Sequence, residues 1–194
     1  YAALALGGNP VYREPFAPLP LDVLRLPFDD LDALSRIDTA VAGVVVEPVQ
    51  AEGGVRIPSA EFLPALRARC QQVGALLIAD EVLTGFGRTG ALFACTHWNV
   101  EPDILVLAKA LGGGMPLGAF VGRADIMQTL SHDPPLAHVT TFGGHPVSCA
   151  AGGAALEVVL RDQLPQRAAR VGEQWQQQLA ALVGGPLRAV RGIG

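Results

Sequence analysis

Ala75-Leu76-Leu77-Ile78-Ala79, closed by Asp80-Glu81, is the stretch that decides the fold. Its five apolar residues show none of the alternation of a strand with one wet face. So short a run, bounded by Gly74 and two carboxylates, reads as a strand buried on both faces. Residues 41–47 (VAGVVVE), stopped by Pro48, and residues 104–108 have the same character, and 119–122 reads as a short fourth strand. Helical periodicity fills the intervals. Ser59 is placed to N-cap a helix with Glu61 in its first turn, Phe62, Leu66 and Val73 on its apolar face, and Gly74 at its end. Further helices are expected over 123–130, 146–160 and about 163–182. Buried strands interleaved with helices imply an α/β fold, a mostly parallel sheet covered by helices on both faces. Ligands of such sheets bind at the carboxyl ends of the strands, which here carry Glu47, Asp80 and Lys109.

The first forty residues are punctuated by Pro10, Pro15, Pro18, Pro20 and Pro27 and read as extended, with a short helix over 29–34. Residues 190–194 resemble the opening of a new strand. Half of the chain's 194 residues are apolar and the net charge is -4, which gives no reason to expect nucleic acid or an anionic membrane as partner. No run reaches the length of a membrane span and no signal peptide opens the chain, so a soluble protein is expected. Cys70, Cys95 and Cys149 are scattered and odd in number, which fits a reducing, cytoplasmic setting better than a disulfide framework. His97, His132, His138 and His145 lack metal-ligand spacing, and no metal site is expected.

Lys109 is the only lysine, while every other basic residue is arginine. A guanidinium stays charged and is a poor nucleophile, whereas a desolvated lysine amine loses its proton and attacks carbonyls. The chemistry that needs lysine here is a Schiff base, with a substrate or with pyridoxal phosphate. The plainer alternative is a strand-end lysine reaching out to water. Asp80, at the end of a buried strand, needs a cationic partner, either a protonated pyridine nitrogen or an ordinary arginine. Thr140-Thr141-Phe142-Gly143-Gly144 offers two hydroxyls and a flexible glycine pair to a phosphate, or is an ordinary loop. Gly112-Gly113-Gly114 has the spacing of neither a P-loop nor a dinucleotide site, and a sharp turn is its better use.

Four blocks together resemble the class III aminotransferases, pyridoxal-phosphate enzymes of the aspartate-aminotransferase fold (fold type I). They are Glu47-Pro48-Val49-Gln50-Ala51-Glu52-Gly53-Gly54; Leu77-Ile78-Ala79-Asp80-Glu81-Val82-Leu83-Thr84-Gly85-Phe86-Gly87-Arg88-Thr89-Gly90; Pro102-Asp103-Ile104-Leu105 leading to Ala108-Lys109-Ala110-Leu111-Gly112-Gly113-Gly114; and Thr140-Thr141-Phe142-Gly143-Gly144-His145-Pro146. Their order and separations agree with the family. The resemblance implies pyridoxal 5'-phosphate as cofactor and Lys109 as the residue that forms the Schiff base and shuttles a proton. Asp80 would bind the pyridinium nitrogen, Val82 pack on the ring, and Thr141 bond the phosphate across a homodimer interface. Thr140 would lie beside the substrate, Glu47 behind the ring, and Glu52 would be a gate glutamate toward the substrate. Leu83 stands where many members place a glutamine that reaches the ring hydroxyl, a bond leucine cannot make. His145 replaces the usual asparagine before Pro146.

The implied activity is transfer of an amino group from an ω- or α-amino donor, of the acetylornithine, ornithine or 4-aminobutyrate type, to a 2-oxo acid. Residues 12–16 and Glu52 lean toward those branches. An aminomutase or racemase of the same fold, or a non-catalytic dimerising remnant, are the alternatives. The family's ring-stacking aromatic, phosphate loop and substrate arginines have no counterpart here, so the chain reads as part of a longer protein: residues 1–182 a partial cofactor-binding large domain, 183–194 the start of a small domain.

Overall fold

Hydrophobic strands that cannot face water must find partners on both edges and a lid on at least one face, and the architecture follows from that need. The computed structural model describes residues 1–194 except Asp133 and Pro186. Four strands, β1 (Gly43–Val46), β2 (Leu76–Asp80), β3 (Ile104–Leu107) and β4 (Ala119–Gly122), form one sheet in that order. β1, β2 and β3 are mutually parallel and β4 returns antiparallel to β3, so the sheet is mostly parallel as expected. The strands are a residue or so offset from their sequence limits. The one offset that matters puts Asp80 inside β2, as its last residue.

The register sorts the side chains by face. Val44, Val46, Leu77, Ala79, Leu105 and Leu107 share one face, because Val44 pairs with Leu77, Ala79 with both Val46 and Leu105, and Leu107 with Ala119. Helix α3 (Phe62–Val73) lies on that face, where Phe62, Leu63, Leu66 and Cys70 join Leu34, Ile37, Leu77 and Val100 in the core. The opposite face carries Val45, Ile78, Asp80, Val106 and Phe120, and it is only partly covered, with Val45 exposed. Asp80 therefore looks out over the open side of the sheet.

Asp103 fastens the sheet from below. Its backbone N–H donates to the Leu77 carbonyl at 2.8 Å while its carboxylate accepts from the Leu77 N–H, also at 2.8 Å. The same carboxylate receives Arg67 from α3 and Arg123 from beyond β4.

Helices α4 (Ala124–His132), α5 (Pro146–Arg161) and α6 (Leu164–Ala180) match the expected positions to within two residues at most ends. α5 packs on the turn that follows β3, and its small residues allow the approach: a Cβ on Gly152 would stand 2.7 Å from the Leu111 carbonyl. α6 packs on the loop after β2, where a Cβ on Gly87 would stand 2.9 Å from Pro165.

Four local expectations are corrected. Ser59 does not cap α3; the N-cap is Glu61, without a side-chain cap, because both the hydroxyl and the N–H of Ser59 donate to Asp29 Oδ1, at 2.7 and 2.9 Å. The N-terminal stretch is not simply extended. It opens with two short helices, α1 (Ala2–Leu6) and α2 (Pro10–Arg13), the second started by Asn9, whose side chain accepts from Val11 N–H with Pro10 at the first helical position. The short helix expected over 29–34 is a 3-10 turn over Asp32–Arg36, since Asp29 is held in a left-handed conformation. Residues 190–194 form no strand.

Candidate active site

Three parallel strands in register bring their carboxyl ends to one line, and the polar residues that follow them meet there. Val46 pairs with Ala79 and Asp80 with Val106, which sets Glu47, Asp80 and the segment leading to Lys109 side by side. Glu52 reaches the same place from a turn closed by paired hydrogen bonds between Gln50 and Arg56. The electrostatics report the convergence. Glu47 is half-buried, and its carboxyl is held above the ordinary range first by burial, then by the charges of Asp80 and Glu52, while Lys109 pulls it down. Three carboxylates and one amine thus share this end of the sheet, with the negative charge in excess.

Asp80 has a fixed rotamer and a free oxygen. Its Oδ1 accepts from the Val82 N–H at 3.1 Å, while Oδ2 has no protein partner among the described residues. No arginine or lysine pairs with it among the described residues, so the ordinary structural explanation for an aspartate here does not apply.

Lys109 is exposed, makes no ion pair among the described residues, and has φ 48, a left-handed conformation rare in residues with a side chain. Such strain costs on the order of 1–3 kcal/mol and persists only where the surroundings enforce it. The turn that follows Lys109 lies tight against α5: a Cβ on Gly113, itself at φ 58, would stand 2.7 Å from the Ala151 carbonyl and 2.8 Å from Ala155 Cβ. The glycine run thus serves helix packing as well as the turn.

Val82 and Leu83 follow Asp80 and are half-buried. Thr140 and Thr141 are not brought to the cluster. They lie in an exposed loop, and Thr140 lines a separate open cavity of about 530 Å³ with Phe120, His138 and Gly143.

The residue that sequence reasoning passed over is Glu81, 1 % exposed. Its Oε2 accepts from Thr84 Oγ1 at 2.9 Å and Ala94 N–H at 2.7 Å, and its Oε1 from Cys95 N–H at 2.9 Å. A signal existed: in a strand, Asp80 and Glu81 point to opposite faces, so one of two adjacent carboxylates must enter the core and find donors there.

The donor set suits a planar cationic heterocycle bearing an aldehyde. Among the described residues, Asp80 Oδ2 is free for a protonated ring nitrogen and Lys109 is an amine without an ion pair. Residues for the phosphate end are not gathered here.

The profile of the aminotransferase class-III family matches residues 1–194. A putrescine aminotransferase of Pectobacterium atrosepticum is 46% identical over 99% of this chain, which covers 43% of that protein. The ornithine aminotransferase of Toxoplasma gondii ME49 superposes with a TM-score of 0.93 at 38% identity, over 99% of this chain and 46% of its own. An amine transaminase from an uncultivated Pseudomonas species, solved in a PLP-bound form, gives 0.87 at 35% identity, over 98% and 50%. The chain spans about half the length of these relatives.

Proposed function

This chain belongs to the class-III aminotransferase family, and we propose on that premise that the protein it forms part of moves an amino group from an ω- or α-amino donor to a 2-oxo acid with pyridoxal 5'-phosphate. The observation that carries this reading is the pairing of an uncompensated, rotamer-locked Asp80 with a strained, unpaired Lys109 at adjacent strand ends. When bound, the cofactor supplies an aldehyde for covalent capture of amines and a protonated ring that withdraws electrons.

The chain's own residues do the rest. Asp80 Oδ2 holds the ring nitrogen in its protonated state through a charge-assisted hydrogen bond. Val82 packs on the ring face and Leu83 lines its edge without offering a hydrogen bond. Lys109 Nζ would be the nucleophile toward the cofactor's aldehyde and the base that carries the proton of the donor carbon. Glu47 sits behind the ring. Glu52 faces the donor's far end, and with the excess of carboxylates it favours donors that carry a second cationic group. The putrescine and ornithine aminotransferases among the relatives support a donor of that kind. Thr141, in an exposed loop, would serve the cofactor phosphate of a second copy in a homodimer, with Thr140 beside that copy's substrate. Residues 1–182 form part of the cofactor-binding domain and 183–194 begin the next one, in a cytoplasmic enzyme with three free cysteines.

Borohydride reduction of the full-length protein charged with pyridoxal phosphate should leave a pyridoxyl group on Lys109. An unlabelled Lys109 would sink the reading. A keto acid formed in step with consumption of the amino acceptor separates transfer from isomerisation, and inertness toward all amines would favour a dimerising remnant.

A further inference from the structure

We propose that Glu81 is a positioning residue that aims the two cofactor-facing side chains on either side of it, Asp80 and Val82; this rests on the roles given to those two above. Every polar group of Glu81 is engaged. Its N–H donates to the Val106 carbonyl at 2.9 Å, which extends the β2–β3 ladder one residue past the end of β2. Its carbonyl accepts from Gly85 N–H at 3.0 Å, and a Cβ at Gly85 would stand 2.9 Å from that oxygen, so only glycine fits the turn. Its carboxylate gathers Thr84, Ala94 and Cys95. Burial first, then the Glu81 charge, push the Cys95 thiol up, so that it stays protonated beside the carboxylate.

The consequence is geometric. Glu81 is buried in the protein while Asp80, the last residue of β2, lies on the opposite face of the sheet and Val82 opens the turn that follows, so anchoring the middle residue at both backbone groups and both carboxylate oxygens fixes the backbone that carries its neighbours. The Val82 N–H to Asp80 Oδ1 bond is the visible result. The anchor needs a carboxylate. All its partners are donors, and an amide nitrogen in place of one oxygen would oppose a donor to a donor.

The test is the full-length holoenzyme with Glu81→Gln, and with Thr84→Val, which removes one donor and leaves the carboxylate. The measurements are the dissociation constant for added pyridoxal phosphate, the pH midpoint of the bound cofactor's visible absorbance, and the melting temperature of the apoprotein. A positioning role gives about tenfold weaker cofactor binding for Glu81→Gln, as supporting-residue losses commonly do, with a displaced absorbance midpoint. Thr84→Val should move both in the same direction by less. If both variants keep the wild-type constant and midpoint and only melt earlier, Glu81 merely stabilises the fold and the inference is overturned. If Glu81→Gln does not fold, Thr84→Val decides by the same two readouts. A wild-type protein that takes up no pyridoxal phosphate overturns the proposed function itself, an outcome distinct from variants that bind like wild type.

Discussion

Replacing Asp103 should weaken the sheet on which the site is built, by an amount that depends on what replaces it. The carboxylate is 5 % exposed and accepts from Arg67 Nη1 at 2.5 Å, Arg123 Nη1 at 2.7 Å and Leu77 N–H at 2.8 Å. Asn keeps an acceptor for Leu77 but removes the charge opposite two guanidiniums. Arg123 is 54% exposed and its pairing is worth little, so the loss is dominated by the better-buried Arg67, about 2 kcal/mol for a hydrogen bond to a charged group. Ala also strands the buried Leu77 N–H, which adds about 1–3 kcal/mol and brings the total near 4. Burial alone would lift the Asp103 carboxyl, but the Arg67 hydrogen bond, the Leu77 N–H and the two guanidinium charges outweigh it and hold it below the ordinary range. A lowered folded-state value means that the stabilisation is complete above the unfolded-state value, about pH 4, and is lost as pH falls through the folded-state one. Urea unfolding followed by tryptophan fluorescence, at pH 7 and then in steps to about pH 3, should show Asp103→Asn about 2 kcal/mol less stable at pH 7, with the gap closing below about pH 4. Equal stability of wild type and Asn at pH 7 would refute the contribution of the Arg67 pairing, and an Ala variant no worse than Asn would refute the clasp on Leu77.

Three further outcomes follow from the same geometry. Lys109→Arg in the full-length enzyme should lower single-turnover transamination by at least ~10²–10⁴-fold, the range of a lost acid–base group, because arginine can neither attack the aldehyde nor carry the proton. Gly152→Ala should destabilise by about 1–3 kcal/mol through the 2.7 Å clash with the Leu111 carbonyl. Its neighbour Gly153→Ala, with nothing within 4 Å, should stabilise the chain by up to about 1 kcal/mol; thermal melting of the pair checks both signs. Glu47→Gln should raise the melting temperature at neutral pH, since burial and the nearby carboxylates make the charged form unfavourable. For a raised folded-state value the stability is present below the unfolded one and lost as pH rises through the folded one, so the advantage of Gln should vanish in acid.

The strands and the line of polar residues at their ends were legible because burial imposes an uninterrupted apolar run and a parallel sheet sets equivalent ends side by side. β4 could be located, at Ala119–Gly122, but nothing in four residues states whether a strand runs parallel or back. That choice belongs to the connection, and the segment from Lys109 to Gly118 is shorter than the helical crossover that a parallel strand requires. Ser59 was misread for a related reason. An N-cap is a local pattern, and a carboxylate thirty residues away, Asp29, captured the hydroxyl. Glu81 escaped notice because its meaning is the set of donors that surround it, and Ala94 and Cys95 offer backbone groups that leave no mark in the sequence.

The strain at Lys109 joins these observations into one account of why this half of the fold is built as it is. A left-handed lysine would relax if its turn were free, since a glycine or asparagine there would satisfy the same path at lower cost. The turn is backed by α5: Gly113 faces Ala151 and Ala155, and Gly152 faces Leu111, so closely that a Cβ on either glycine would clash. The small residues of α5 therefore do work that helix propensity opposes, since two adjacent glycines, Gly152 and Gly153, weaken the helix that contains them. α5 on one side and the Asp103 clasp between β2 and β3 on the other hold the backbones that carry Lys109 and Asp80. That is what a group must find when its two ends have to be engaged at once.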